Sequence, residues 1–206
     1  MIGFAAFWQR RLSVRRFALT ADNRGSAVIE FALLAPIFVV LLSGVLDLAH
    51  TIYVRSVLNG AIRDAARAGS LEGATTTTLD NSLKSVLGGI APNATYTVTR
   101  QSYFDFSDVN RPERWTDNNG NGTCDNNEAF VDENKNGNWN ADVGASGNGG
   151  ASDVVKYTVR LKFDRVFAFG KVLGGDGTYT MDATTVVKNQ PFSLQQGYGS
   201  GSGTCS

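Results

Sequence analysis

From Ala27 to Leu46 the chain runs twenty residues with a single charged side chain, Glu30, and from Phe31 onward there is none. At about 1.5 Å rise per residue, a helix of that length spans about 30 Å, the thickness of a bilayer core. A buried helix of a soluble domain would ordinarily keep a polar face, and Phe31 to Val40 has none. The stretch therefore predicts a membrane-crossing helix. Ahead of it, Arg10, Arg11, Arg15, Arg16 and Arg24 face only Asp22. That basic leader, residues 1–25, predicts a cytoplasmic N-terminus and an exported bulk. Lys plus Arg and Asp plus Glu both total 19, so the rest of the chain is acidic. Such a balance argues against nucleic acid as a partner, because phosphate binding needs a basic surplus. One His and two Cys fit neither a zinc pattern nor a Cys-His nucleophile.

An ordinary secretory signal places its apolar core before the cleavage site. Here the junction reads Asn23-Arg24-Gly25-Ser26-Ala27-Val28-Ile29-Glu30-Phe31. A Gly followed five residues later by Glu, at the mouth of an apolar helix, is the prepilin pattern. Cleavage after Gly25 would make Ser26 the new N-terminus, place Glu30 at the fifth mature position and leave the helix as an anchor. An ionisable group inside a spanning segment is costly unless paired. The α-amino group freed by cleavage is the natural partner for Glu30; the alternative is a glutamate solvated at the headgroup boundary.

Three further pieces, Glu30-Phe31-Ala32-Leu33-Leu34-Ala35-Pro36, Gly44-Val45-Leu46-Asp47 and Ala61-Ile62-Arg63-Asp64-Ala65-Ala66-Arg67-Ala68-Gly69, resemble the TadE family. These are minor pseudopilins of the bacterial Tad (Flp) type IVb pilus system, and the likeness covers about residues 23–70. The resemblance implies processing by a prepilin peptidase and association with other Tad pilins, pseudopilins and the pilus assembly machinery. It also implies a single-pass anchor in inner-membrane lipid, a periplasmic or extracellular C-terminal domain, a role in adhesion, and no enzymatic activity. Asp47 stands where Glu is more usual, and the charge is kept.

Beyond Asp47, residues Val54, Val57, Leu58, Ala61, Ile62, Ala65 and Ala66 recur at helical spacing, and Gly69 supplies a stop. Residues 26–70 thus read as one long transmembrane and spine helix, with Pro36 tolerated in its membrane half. Leu79, Leu83, Val86 and Leu87 predict a second, short helix ended by Gly88-Gly89. Strands follow at Tyr96–Thr99, Val154–Phe169 and Tyr179–Val187. In the middle one, Val155, Tyr157, Val159, Leu161 and Phe163 alternate with polar residues, as in a half-buried antiparallel strand. The predicted class is α+β: a long pilin-like helix packed on a small antiparallel sheet. The exported domain takes residues 71–194, and residues 195–206 read as a flexible Gly/Ser tail.

Residues 117–150 form an insertion holding ten Asn, four Asp and seven Gly, a composition unable to fill a core. Asp117, Asn119, Asn121, Thr123, Asp125 and Glu128 occupy positions 1, 3, 5, 7, 9 and 12 of a calcium loop, with Gly122 at the sharp turn. Asp132, Asn134, Asn136, Asn138 and Asn140 repeat the scheme fifteen residues on, closed by Asp142 at position 11 because position 12 is Val143. Hard oxygen ligands on alternate residues suit calcium, since a turning loop points them all inward. A solvated Asn/Gly loop or a carbohydrate-contacting surface is the alternative.

Trp115, Phe130 and Trp139 read as pins holding these loops to the domain, with exposed adhesive aromatics as the other reading. Cys124 and Cys205 reach an oxidising compartment, where a disulfide is permitted and two free thiols are equally compatible with the sequence. His50 has no companion for metal or nucleophilic chemistry, and Gly170–Gly175 reads as a turn. Two functions follow: a processed pseudopilin, or an unprocessed single-pass calcium-binding surface adhesin or envelope protein. A membrane-anchored enzyme has no supporting constellation.

Overall fold

The computed structural model describes residues 25–167, 174 and 176–205. The basic leader apart from Gly25, and the Gly170–Gly175 segment apart from Gly174, lie outside the described residues. The chain divides into two compact units, residues 1–43 and 44–206.

In the first unit the described part is the start of helix α1, which runs Ser26–Gly69 and passes through Pro36 unbroken. Its apolar side chains are open: Phe31 and Leu33 are each 71% exposed, and Val28, Leu34, Phe38 and Leu41 are similar. Leaving that much apolar surface in water would be prohibitive, so this part of α1 has the character of a lipid-facing segment. Length and apolarity suffice for α1 to cross a membrane once.

The second unit is built on the other end of α1. Val54, Leu58, Ile62, Ala65 and Ala66 are buried at helical spacing. They meet Leu83 and Leu87 of helix α2 (Thr76–Ile90) and one face of an antiparallel sheet. That sheet has the order β3-β1-β4-β5, with β1 at Thr95–Tyr103, β3 at Ala145–Ser146, β4 at Val154–Asp164 and β5 at Thr178–Lys188. Val155, Tyr157, Val159, Leu161 and Phe163 of β4 face the helices, and the alternate residues turn away. The register, with Val159 opposite Val98 and Ala183, keeps Val155, Tyr157, Val159, Leu161 and Phe163 on one face, while Val154, on the other, packs with Tyr103 and Val143. On the opposite face Arg160 bridges Asp182 at 2.8 Å, an exposed pair worth little to stability.

Three local expectations are corrected. Helix α2 continues through Gly88 and Gly89 to Ile90, where the Ala91 N–H bonds the Leu87 carbonyl. Each glycine costs only about 1 kcal/mol in a helix, and burial of Leu87 outweighs that. Strand β4 stops at Asp164, short of the expected end at Phe169, itself outside the described residues, because its partner β5 begins opposite it at Thr178. The C-terminal segment, read as flexible, contains strand β6 (Gly201–Thr204), paired antiparallel with β2 (Ala129–Asp132). Gly203 makes this possible: a Cβ there would lie 2.5 Å from the Phe130 ring.

Candidate functional site

At the start of α1, Ser26 is the first helical residue and Gly25 precedes it. The Ser26 hydroxyl donates to Glu30 Oε1 at 2.9 Å, one turn along the helix. Glu30 and Phe31 are both exposed, among the exposed apolar side chains of this end of the helix. Further along, Asp47 is buried in the second unit, where its carboxylate accepts from Arg165 Nη1 (3.2 Å) and the Val166 N–H (3.2 Å). His50 hydrogen-bonds the Ile90 carbonyl at 3.2 Å through Nε2 and meets the Phe163 ring edge-on, which gives it a packing role.

The two Asx/Gly loops adopt one conformation. Gly122 and Gly137, both at position 6, take φ of 75° and 80°, the left-handed region in which glycine is unstrained. In the first loop the Asp117 carboxylate accepts the N–H groups of Gly120, Asn121 and Gly122. These donors, that of Gly122 foremost, hold its carboxyl below the usual carboxylate range. In the second loop Asp132 accepts from Asn136 and Gly137. The Asn119, Asn121, Asn134 and Asn136 amide oxygens each take one backbone N–H two residues on. Each retains a second lone pair.

The amide nitrogens at positions 3 and 5 converge on position 9. Asn119 and Asn121 reach the Asp125 carboxylate at 3.0 and 2.9 Å, and Asn134 and Asn136 reach Asn140 Oδ1 at 3.0 and 2.6 Å. The side chains at positions 3 and 5 therefore both meet that of position 9 in each loop. Thr123 and Asn138 hold the equivalent position 7. Glu128, 1% exposed, accepts the N–H groups of Asn118, Asn119 and Asp125.

Asp142 does not join the second loop's convergence. It accepts from Tyr103 Oη at 2.9 Å and Gln101 Nε2 at 3.2 Å, with Lys156 Nζ at 3.7 Å, which ties it to the sheet. Its neighbour Val143 is fully buried against Tyr103 and Val154. Three residues that the motif does not contain serve the loop instead. Glu133 is clasped by Arg111 Nη2 at 2.8 Å and Arg114 Nε at 2.9 Å. Burial pushes its carboxyl up, but the Arg111 hydrogen bond, followed by those of Arg114, outweighs this and brings it down to about 2. Glu113, fully buried, bonds the loop backbone. The sequence signal for all three is the charged run Arg111-Pro112-Glu113-Arg114, which carries no loop spacing.

Cys124 and Cys205 form a disulfide with Cα atoms 5.6 Å apart. It lies with Phe130 in a small cluster on which Trp115 and Trp139 pack edge to face at 5.4 Å, so the three aromatics act as pins. Among the described residues no three His, Cys, Asp or Glu side chains gather as a metal cluster. The loops' converging groups are mostly asparagine.

No curated protein and no solved structure matches the chain. Residues 25–67 match the family described as TadE-like protein, over the described helix from Gly25 almost to its end. The long apolar helix that opens the described chain is thus similar to a TadE-like domain.

Proposed function

We propose that this protein is a minor pseudopilin of a Tad pilus assembly system, anchored by α1 and processed by a prepilin peptidase between Gly25 and Ser26. One observation carries the reading: the TadE-like match begins at Gly25, the residue directly before the helix, with Glu30 five residues on. The N-terminus lies in the cytoplasm and the sheet-bearing unit on the far side of the inner membrane, as the arginines of the leader favour. The mature Ser26 α-amino group pairs with Glu30, in the same subunit or a neighbour. The exported unit binds calcium in loops 117–128 and 132–142 and contributes to adhesion. With asparagine at many ligand positions the charge is low, which suits the modest affinity of extracellular calcium sites.

Glu30→Ala tests the pilus role. It makes the helix start more apolar, so membrane insertion is expected to be intact. Removing one member of a pair in low dielectric typically costs about 3–5 kcal/mol. Co-purification with pilus components and surface pili are therefore expected to be lost, and Glu30→Gln, which keeps size but not charge, is expected to fail as well. Normal pilus assembly with Glu30→Ala as the only copy would reject the pairing. Retention of Met1 in cells with an active peptidase would favour the unprocessed calcium-binding adhesin instead.

A further inference from the structure

We infer that Glu113, which lies outside both loops, is the terminal acidic ligand of the second calcium loop, and that Asp142 is not a ligand. The inference rests on the calcium reading above and assigns the residues of that site. It comes from a position-by-position match between two glutamates. Glu128 Oε1 accepts the N–H groups of positions 2 and 3 of the first loop, Asn118 at 2.7 Å and Asn119 at 3.4 Å. Its Oε2 accepts that of position 9, Asp125, at 3.3 Å. Glu113 Oε1 accepts the N–H groups of positions 2 and 3 of the second loop, Glu133 at 2.8 Å and Asn134 at 3.1 Å. Its Oε2 accepts that of position 9, Asn140, at 3.0 Å. The two carboxylates sit at the same positions of their loops, although one is the last residue of its loop and the other precedes both.

A second observation is electrostatic. Glu113 and Glu128 are 0% and 1% exposed, and neither has a basic side chain within ion-pair distance among the described residues. The nearby guanidinium groups of Arg111 and Arg114 are taken by Glu133. A buried carboxylate without a counter-charge is costly. Each Oε2 also takes only one N–H, that of position 9, and keeps acceptor capacity unused. One divalent cation held by each loop supplies the missing charge to its glutamate. The chain reaches this arrangement because residues 111–116 thread between the loops. Val143 N–H bonds the Arg111 carbonyl, Glu113 N–H the Asn140 carbonyl, and Val131 N–H the Arg114 carbonyl.

The test is calcium titration by calorimetry of the full chain in detergent micelles, after chelator treatment. Wild type is expected to bind two ions. Glu113→Gln and Glu128→Gln are each expected to lose one ion, or weaken it more than tenfold, and to keep the other. Asp142→Asn is expected to keep both. A purely structural Glu113 would lower the melting temperature equally in calcium and chelator with stoichiometry unchanged, and that result overturns the inference. So does loss of an ion in Asp142→Asn with both retained in Glu113→Gln. If Glu113→Gln does not fold, Glu113→Asp retains the charge with shorter reach and is expected to weaken one ion alone; two undiminished ions overturn the assignment. A wild-type chain that binds no calcium rejects the calcium reading itself, which is a separate failure.

Discussion

Adjacent in space, Glu133 and Glu113 illustrate two ways of holding a buried carboxylate. Glu133 is compensated by Arg111 and Arg114, and its pKa falls from 4.5 to about 2. A carboxyl whose folded pKa is depressed adds stability above its unfolded value and loses it as pH falls through the folded value. In chelator, the melting temperature is therefore expected to drop as pH falls from about 4.5 to about 2. Glu133→Gln is expected to melt lower than wild type at neutral pH and to converge with it near pH 2. A constant difference across that range would show that the guanidinium clasp is not the source. The position of Asp117 was legible in the sequence because its partners are three to five residues away. Those of Glu113 lie about twenty or more residues on, and no spacing rule reaches them.

Among the elements, periodicity was a good guide wherever one face is buried. The apolar pattern from Val54 to Ala66 and the alternation in β4 both became core. Glycine was the poorer guide, being read as a stop at Gly88-Gly89 and as flexibility after Gln195. In α2 both glycines keep a helical backbone, and in β6 Gly203 is what lets the strand lie over Phe130. The bridge from Cys205 to Cys124, at position 8 of the first loop, fastens β6 in place. The Asn127 N–H bonds the Cys205 carbonyl, and the Cys205 N–H bonds the Glu128 carbonyl. A cross-link spanning 81 residues restricts the unfolded chain. Its removal by Cys205→Ser is expected to cost about 2–4 kcal/mol. Denaturant unfolding of the full chain in micelles measures this, and unchanged midpoints would contradict it.

On the scale of the whole molecule, the helix that matches the TadE-like family has an exposed apolar start and an end buried in the sheet-bearing unit. The long apolar helix and the α+β class were readable from the sequence because both depend on local hydrophobic pattern. What ties distant segments together was not: Arg165 onto Asp47, or residues 111–116 between the two loops. Those contacts are selected by tertiary packing and leave no mark on neighbouring residues. The central claim, a pseudopilin whose anchor survives processing, is tested most directly by the intact mass of the protein purified from its native membrane. The account predicts a mass short by residues 1–25, corresponding to a chain that begins at Ser26 and is still membrane-bound. A full-length chain beginning at Met1, in cells whose prepilin peptidase is active, would contradict it.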